Sequence, residues 1–486
     1  MKSLAVLLVP LLCSAASAPT LIESTVDMAR GAPGEFAADA MIRIASLDQV
    51  EKFRKLTLLE EAFRRAAEAQ EPYRRRASIT GGPAAAFFNR AYDQNLDALT
   101  LRLRVVEAML PLDKTKAHDL FVQIPAIRLP KLKCSESLVY DVSRFYQVLG
   151  RIANEAFTPK QIEKGEPQRL LLQHAAAIAS PVQVIPMART IVQAKVKDAD
   201  FQALVAAYAG ALGHISGDDR SFTFAHSTGP AILELVDALK SRKMSPLPLL
   251  ENYRLFLVAN LTAPRCADDD LMQKVSQSFG MADGTPTVVT NAVGYFNQAL
   301  RMPPLQIIED AEVAPTQGEG VAEGLHSCED TECQAVAQQY RNLVFEPAGL
   351  VYSAADKKGN EWQSRLQDLL NTMAAWKEDP AVPPSQYFRD KSGIYTNLLA
   401  IVPTTENQEK VVRTTMDFIE QSRLQTESRI QWFLPANALL GRMGLDRNGL
   451  GKLIADFRQS HDLLVALYAQ LETVAPRGPE SVMPLL

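Results

Sequence analysis

The chain has 486 residues, of which 47% are hydrophobic and 22% are charged. These values are typical of soluble globular proteins and exclude collagen-like, coiled-coil and low-complexity chains. The net charge of -5 gives no general attraction to a polyanion, so we do not expect nucleic acid as a partner.

Residues 1–18 have the pattern of a secretory signal peptide. Lys2 supplies the positive charge, residues 4–12 form a short apolar run, and Ala16-Ser17-Ala18 fits the small-residue cleavage rule. Cleavage after Ala16 is the alternative, because cleavage after Ala18 would leave Pro19 at the new N-terminus. The run is well short of the roughly 20 residues that a membrane-spanning helix needs. We therefore predict an exported protein, periplasmic or secreted, with no transmembrane segment after signal removal.

Four Ser-Pro or Thr-Pro pairs mark predicted helix starts, because these residues favour the N-cap and first helical positions. They are Thr158-Pro159, Ser180-Pro181, Ser245-Pro246 and Thr285-Pro286. Gln161 and Gln183 follow the first two caps at the spacing of a capping box, in which side chain and backbone satisfy each other's hydrogen bonds.

The segment 97–124 shows the predicted building unit. Leu99, Leu103 and Val106 form one apolar stripe, a short turn ends in Asp113, and a second stripe contains Phe121. Short turns make neighbouring helices antiparallel. We predict an all-α fold of stacked antiparallel helical hairpins, either α-solenoid-like or an irregular multi-helical array, because no fixed repeat period is found.

Residues 308–327 are acidic and rich in Gly, Pro and Ala, which is typical of a linker or an exposed loop. This segment divides helical region 1, residues 20–307, from helical region 2, residues 328–475. An insertion loop within one continuous array is the alternative. The tail, residues 476–486, is predicted to lack fixed structure.

Arginines at 64, 65 and 74–76 form the main basic cluster of the sequence. Glutamates at 60, 61, 68 and 71 lie among them. This mixture favours a solvated helix on which opposite charges pair with one another.

Four cysteines remain once the leader, which contains Cys13, is removed. An even number of cysteines in an exported chain predicts two disulfides. We favour Cys328 with Cys333 and Cys134 with Cys266. A zinc site at Cys328 and Cys333 is the competing interpretation, but the paired short spacings of such sites are lacking, so no metal or other cofactor is predicted.

The sequence contains no catalytic motif of the zinc-peptidase or common serine-hydrolase types. Its densest polar cluster lies between two predicted helices and consists of His214, Asp218, Asp219, Arg220 and His226. Two imidazoles and two carboxylates are able to bind a metal or move a proton. A solvated loop in which Arg220 pairs with a carboxylate is the alternative.

We predict an exported helical binding or scaffolding protein that presents a groove or concave face to a protein or other macromolecular partner. Two other hypotheses stay open. One is an envelope hydrolase with a site near residues 214–226, and the other is a carrier of a small apolar ligand. No catalytic residue is assigned.

Overall fold

The computed structural model describes most of the chain. The described residues are 18–69, 75–77, 95–132, 138–225, 228–262, 331–347, 351–353, 355–382, 384–422, 429–445 and 447–476. Apart from one two-stranded sheet and one isolated bridge, the regular structure in these ranges is helical. The prediction of an all-α multi-helical array is confirmed.

The described elements before residue 263 are mostly helices of three to four turns. They are α1 Ala18–Gly31, α2 Gly34–Ala45, α3 Lys52–Ala66, β1 Arg75–Ala77, α4 Ala98–Met109, α5 Lys114–Val122, β2 Leu138–Tyr140, α6 Ser143–Glu155, α7 Pro159–Glu163, α8 Glu166–Ala176, α9 Pro181–Val192, α10 Asp198–Leu212, α11 Ser221–Phe224, α12 Gly229–Ser241 and α13 Leu247–Thr262.

The described elements after residue 330 are helical. They are α14 Thr331–Val344, a 3-10 turn Asp356–Lys358, α15 Asn360–Ala375, α16 Pro384–Ile401, α17 Thr405–Gln421, α18 Arg429–Leu445, α19 Arg447–Phe457 and α20 Leu463–Val474. None of the helices described here or before residue 263 is long and apolar enough to cross a membrane.

Two of the predicted helix starts are confirmed in detail. Helices α7 and α9 begin at the predicted prolines, and both carry a complete capping box, made by Thr158 with Gln161 and by Ser180 with Gln183. At the third start the helix begins one residue later than predicted, at Leu247. The fourth, Thr285-Pro286, lies outside the described residues.

The predicted hairpin over residues 97–124 is also present. The Asp97 carboxylate accepts a hydrogen bond from the Thr100 N–H at 2.9 Å, and the Asp113 carboxylate accepts one from the Lys116 N–H at 3.0 Å. These caps satisfy N–H groups that have no partner inside their helices. Leu103 and Phe121 are buried. The short turn between Met109 and Lys114 therefore makes α4 and α5 adjacent, as predicted.

The prediction of a solvated, charge-paired helix holds for Arg64 and Arg65, which lie in α3, and Arg65 forms an ion pair with Glu68. It is wrong for Arg75 and Arg76, which lie in β1, and Arg74 lies outside the described residues. Strand β1 pairs antiparallel with β2, so that Arg75 is opposite Tyr140. The partner strand is more than 60 residues away, and a three-residue strand is too short to show a period of two in the sequence.

The N-terminal helices are buried against the C-terminal helix. Val26 of α1 is completely buried. The Gln470 side chain of α20 donates hydrogen bonds to Ser24 Oγ at 2.8 Å and to Thr25 Oγ1 at 2.9 Å. Arg43 of α2 forms an ion pair of 3.0 Å with Glu472. Side chains from both ends of the chain therefore form one interface.

Aromatic rings fill the centre of this interface. The Phe36 and Phe433 ring centroids are 4.8 Å apart, and those of Phe433 and Tyr468 are 4.4 Å apart. One hydrophobic cluster extends from Ile22 to Leu471 and includes residues of both predicted regions. The 308–327 segment lies outside the described residues, so the two-region division stays a prediction.

Gly34 lies where the start of α2 meets the end of α3, and it allows the two helices to approach closely. A Cβ atom at this position would be 2.5 Å from the Arg65 carbonyl oxygen and 2.6 Å from Glu68 Cβ. We expect Gly34→Ala to lower the free energy of unfolding by about 1–3 kcal/mol, because backbone atoms must move apart. The measurement is urea denaturation followed by circular dichroism.

Gly210→Ala in α10 is the matched control, because a Cβ atom there meets nothing within 4 Å. We expect this change to stabilise the protein by about 0.5–1 kcal/mol, since alanine loses less backbone entropy than glycine in a helix. Equal shifts for the two variants would contradict the close contact at Gly34.

Candidate functional site

The described members of the polar cluster predicted at residues 214–226, which are residues 214–220, lie in the turn between α10 and α11. Asp219 and Arg220 are buried there, each 3% exposed. His214 and Asp218 are exposed. His226 lies outside the described residues. The members of the cluster are therefore divided between the core and the surface.

The Asp219 carboxylate joins three segments of the chain. Oδ1 accepts hydrogen bonds from the Leu132 N–H at 3.3 Å and from the Ser221 N–H at 2.9 Å. Oδ2 accepts one from the Ser180 hydroxyl at 2.9 Å. A buried carboxylate is stable only when it is hydrogen-bonded or paired, and these three donors meet that requirement. Asp219 thus fastens the turn to the start of α9.

This network continues through the capping box of α9 into the core. The Ser180 N–H donates to Gln183 Oε1 at 3.0 Å, and Gln183 Nε2 donates to Tyr146 Oη at 2.9 Å. Burial raises the pKa of Tyr146, so its hydroxyl keeps its proton at neutral pH. The capping box that the sequence predicts therefore also connects the turn to α6.

The exposed members of the cluster make local contacts. Lys131 Nζ donates to the two Asp218 carboxylate oxygens at 2.6 and 2.8 Å. This hydrogen bond, supported by one from Ser216, holds the pKa of Asp218 below its usual value. His214 Nδ1 lies 2.6 Å from the Gly210 carbonyl oxygen. His214 therefore contacts the last turn of α10, the helix that precedes it. Asp219 instead accepts hydrogen bonds from the Ser180 hydroxyl and from two backbone N–H groups.

The contacts of Asp219 form a structural tether between the 214–220 turn, Leu132 and the start of α9. No group of three or more His, Cys, Asp or Glu side chains that could hold a metal is found within the described ranges. Another histidine, His174, is packed edge-to-face against Phe121 and Phe145, and burial lowers its pKa to about 4. Its imidazole is therefore neutral at pH 7.

Cys333 is buried in α14, and the three other predicted disulfide cysteines lie outside the described residues, so the pairing stays a prediction.

Lys391 of α16 occupies a buried site that the sequence analysis missed. Its Nζ donates hydrogen bonds to the Trp376 carbonyl oxygen at 2.6 Å and to Tyr387 Oη at 2.9 Å. The Tyr387 hydroxyl itself donates to the same carbonyl at 2.7 Å. The rings of Trp376, Tyr387 and Phe418 surround the amine, with centroids 5.9, 5.2 and 4.9 Å from Nζ.

The environment of Lys391 disfavours its charged form. Burial lowers the pKa of this amine to about 8, and the Glu332 carboxylate opposes the shift only in part. The sequence signal for this site is the spacing of Tyr387 and Lys391, four residues apart on one helical face. Trp376 and Phe418 come from other segments, so the complete cage could not be predicted from that spacing.

A cleft that is open to solvent lies between α14 and α15. It has a volume of about 660 Å³ and is lined by Gln339, Arg341, Phe345, Glu346, Arg365 and Asp368, with Asn342 and Pro347 at its edge. The Trp362 indole N–H donates to the Leu343 carbonyl oxygen at 2.9 Å and fixes the two helices together. The walls of the cleft are therefore held by a buried contact.

The polar side chains of the cleft differ in whether they already have hydrogen-bond or ion-pair partners. Arg365 donates to Glu361 Oε1 at 2.5 Å and to the Tyr352 hydroxyl. Arg341 forms no ion pair with any residue that the structure describes. Gln339 Oε1 is buried and, within the same described residues, has no hydrogen-bond donor. Phe345 is 41% exposed. Arg341 and Phe345 are therefore accessible to a ligand, and Gln339, which lines the cleft, has a carbonyl oxygen without a donor among the described residues.

Comparison with known proteins finds no family model, no curated protein and no solved structure that matches this chain.

Replacing Asp219 by alanine tests the tether. We expect Asp219→Ala to lower the free energy of unfolding by about 2–4 kcal/mol, because buried N–H groups lose their acceptor. Asp218→Ala is the matched control. Its ion pair with Lys131 is exposed, and we expect a change below about 1 kcal/mol. Urea denaturation of both variants is the measurement, and similar effects would contradict the assigned role of Asp219.

The lowered pKa of Lys391 predicts that the free energy of unfolding depends on pH. Between the folded pKa of about 8 and the ordinary value of 10.5, the unfolded chain binds a proton that the folded chain has lost. The free energy of unfolding therefore rises with pH across this window, while below pH 8 the cost of the buried charge is fully present. From pH 7 to 9.5 we expect a rise of about 1–2 kcal/mol relative to Lys391→Met. The two proteins are compared by denaturation at each pH, and parallel curves would contradict a lowered pKa.

Proposed function

We propose that this protein is an exported helical binding protein that holds a segment of a partner protein in the cleft between α14 and α15. The observation that carries the proposal is the cleft itself. It combines an exposed aromatic ring, Phe345, with an arginine and an amide that have no partner in the described structure.

The composition of the cleft favours a protein partner over a small molecule. Sites for small molecules enclose most of the ligand surface and are mainly apolar. This cleft is open to solvent, and four of its lining residues, Arg341, Glu346, Arg365 and Asp368, are charged. Aromatic residues and arginine are enriched where proteins bind one another.

Export is supported by the signal-like sequence at residues 1–18. The first helix begins at Ala18, directly at the predicted cleavage region, and its Ile22 is buried in the core. Removal of the leader at either predicted position would therefore leave the buried face of α1 intact.

The two other hypotheses have no comparable support. Asp219 of the 214–220 turn is engaged in the tether, Asp218 is paired with Lys131, and His214 contacts the Gly210 carbonyl oxygen. A carrier of an apolar ligand needs a cavity that encloses the ligand, whereas the α14–α15 cleft is open to solvent and has four charged lining residues.

Site-specific photocrosslinking tests the proposal. A benzoylphenylalanine replaces Phe345 in the full-length protein, and irradiated source cells are examined for crosslinked products. We expect a discrete adduct with a partner protein, because Phe345 lies in the cleft and is accessible. Mass spectrometry of the adduct identifies the partner and the crosslinked segment.

The same probe at Phe53 is the matched control, since this phenylalanine of α3 is 80% exposed and is not part of the cleft. We expect no corresponding adduct from this position. An adduct at Phe53 alone, or none at either position, would overturn the cleft as the binding surface.

A further inference from the structure

We infer that the α14–α15 cleft recognises an extended peptide segment in which a single carboxylate side chain lies two residues from an apolar side chain. This inference rests on the proposed function and specifies the chemistry of the partner. Arg341 would bind the carboxylate, Phe345 would contact the apolar side chain, and Gln339 would accept a backbone N–H.

Arg341 indicates an anionic group on the partner. The other arginine of the cleft, Arg365, already donates to Glu361 and Tyr352, whereas Arg341 has no carboxylate partner in the described structure. A guanidinium binds a carboxylate through two parallel hydrogen bonds, which gives both strength and direction. Arg341 can therefore bind one carboxylate of the partner peptide.

Two acidic residues limit how much negative charge the partner carries. Glu346 and Asp368 line the same cleft, and they are not ion-paired with any described residue. A polyanion would be repelled by both carboxylates. The charges therefore favour one well-placed acidic side chain over an acidic tract.

Gln339 indicates an extended backbone. Its Oε1 is a buried acceptor for which the described residues supply no donor, and such an atom carries an uncompensated desolvation cost. The N–H groups inside a helix are used by the helix itself, whereas those of an extended segment remain free to donate. An extended peptide can therefore satisfy Gln339 once its side chain, which lines the cleft, rotates to turn Oε1 toward the peptide.

The spacing of the recognition groups fits the same conformation. Arg341 lies on α14 and Phe345 directly follows the last residue of that helix, and the Phe345 N–H still donates to the Arg341 carbonyl oxygen at 2.9 Å, as in a helix. This spacing places their Cβ atoms roughly 5–6 Å apart. Side chains two residues apart on an extended strand point to the same face at roughly 6–7 Å. An acidic and an apolar side chain at this separation can meet both residues together.

The test uses affinity selection of synthetic peptide pools on the full-length protein, read by mass spectrometry. All pools contain leucine two positions after a fixed residue, which is glutamate, glutamine or lysine, and the remaining positions are randomised among uncharged residues. We expect the glutamate pool to be retained at least about tenfold more than the glutamine pool. With Arg341→Glu we expect the preference to change to the lysine pool.

Arg254→Glu is the matched control, because Arg254 is an exposed arginine of α13 outside the cleft. We expect it to retain the glutamate preference of the wild type. Circular dichroism of each variant verifies that it is folded. Gln339→Leu is a second variant, and we expect it to weaken retention of the glutamate pool while the preference for glutamate persists.

Equal retention of the glutamate and glutamine pools, or an unchanged preference in Arg341→Glu, would overturn the inference. If no pool is retained but Phe345 crosslinks to a partner, the partner is not a linear acidic peptide, and the proposed function stands without this inference. If no pool is retained and Phe345 gives no adduct, both are overturned.

Discussion

Asp39 brings a carboxylate into the core between α2, α4 and α20. It forms an ion pair of 2.7 Å with Arg104 and accepts a hydrogen bond from the Tyr468 hydroxyl at 2.9 Å. Because a buried carboxylate without partners is costly, these three helices have one favourable relative position. The Phe36, Phe433 and Tyr468 rings then fill the space beside this polar contact. One polar contact therefore fixes α2, α4 and α20 relative to one another.

The cleft is built on a helix that is held at both ends. At one end of α15 the Trp362 indole binds the Leu343 carbonyl oxygen, and just beyond the other the Trp376 carbonyl oxygen accepts hydrogen bonds from Tyr387 and Lys391. Recognition groups are most effective when rigid elements position them, because less conformational freedom is lost on binding. The buried lysine thus contributes to the proposed binding surface through the helix that it fastens.

Local interactions were predictable from the sequence, and distant ones were not. The capping boxes at Thr158 and Ser180 were predicted because both partners lie within three residues. The hydrogen bond from Ser180 to Asp219 spans 39 residues, and no spacing rule connects the two. The cluster around residue 214 was recognised as polar, but only the structure separates the buried Asp219 from the exposed Asp218. The cleft was missed because it depends on how two helices meet, which their sequences do not encode locally.

The junction between the two ends of the chain affects the order in which the protein can fold. Asp39 and Tyr468 are separated by 429 residues, so the apolar face of α1 and α2 cannot be fully covered until the last helix has been synthesised. At roughly 5–20 residues per second this delay is roughly 20–90 s. During that interval the first two helices remain accessible to chaperones and proteases. The contact that completes the native core is therefore among the last that the nascent chain can form.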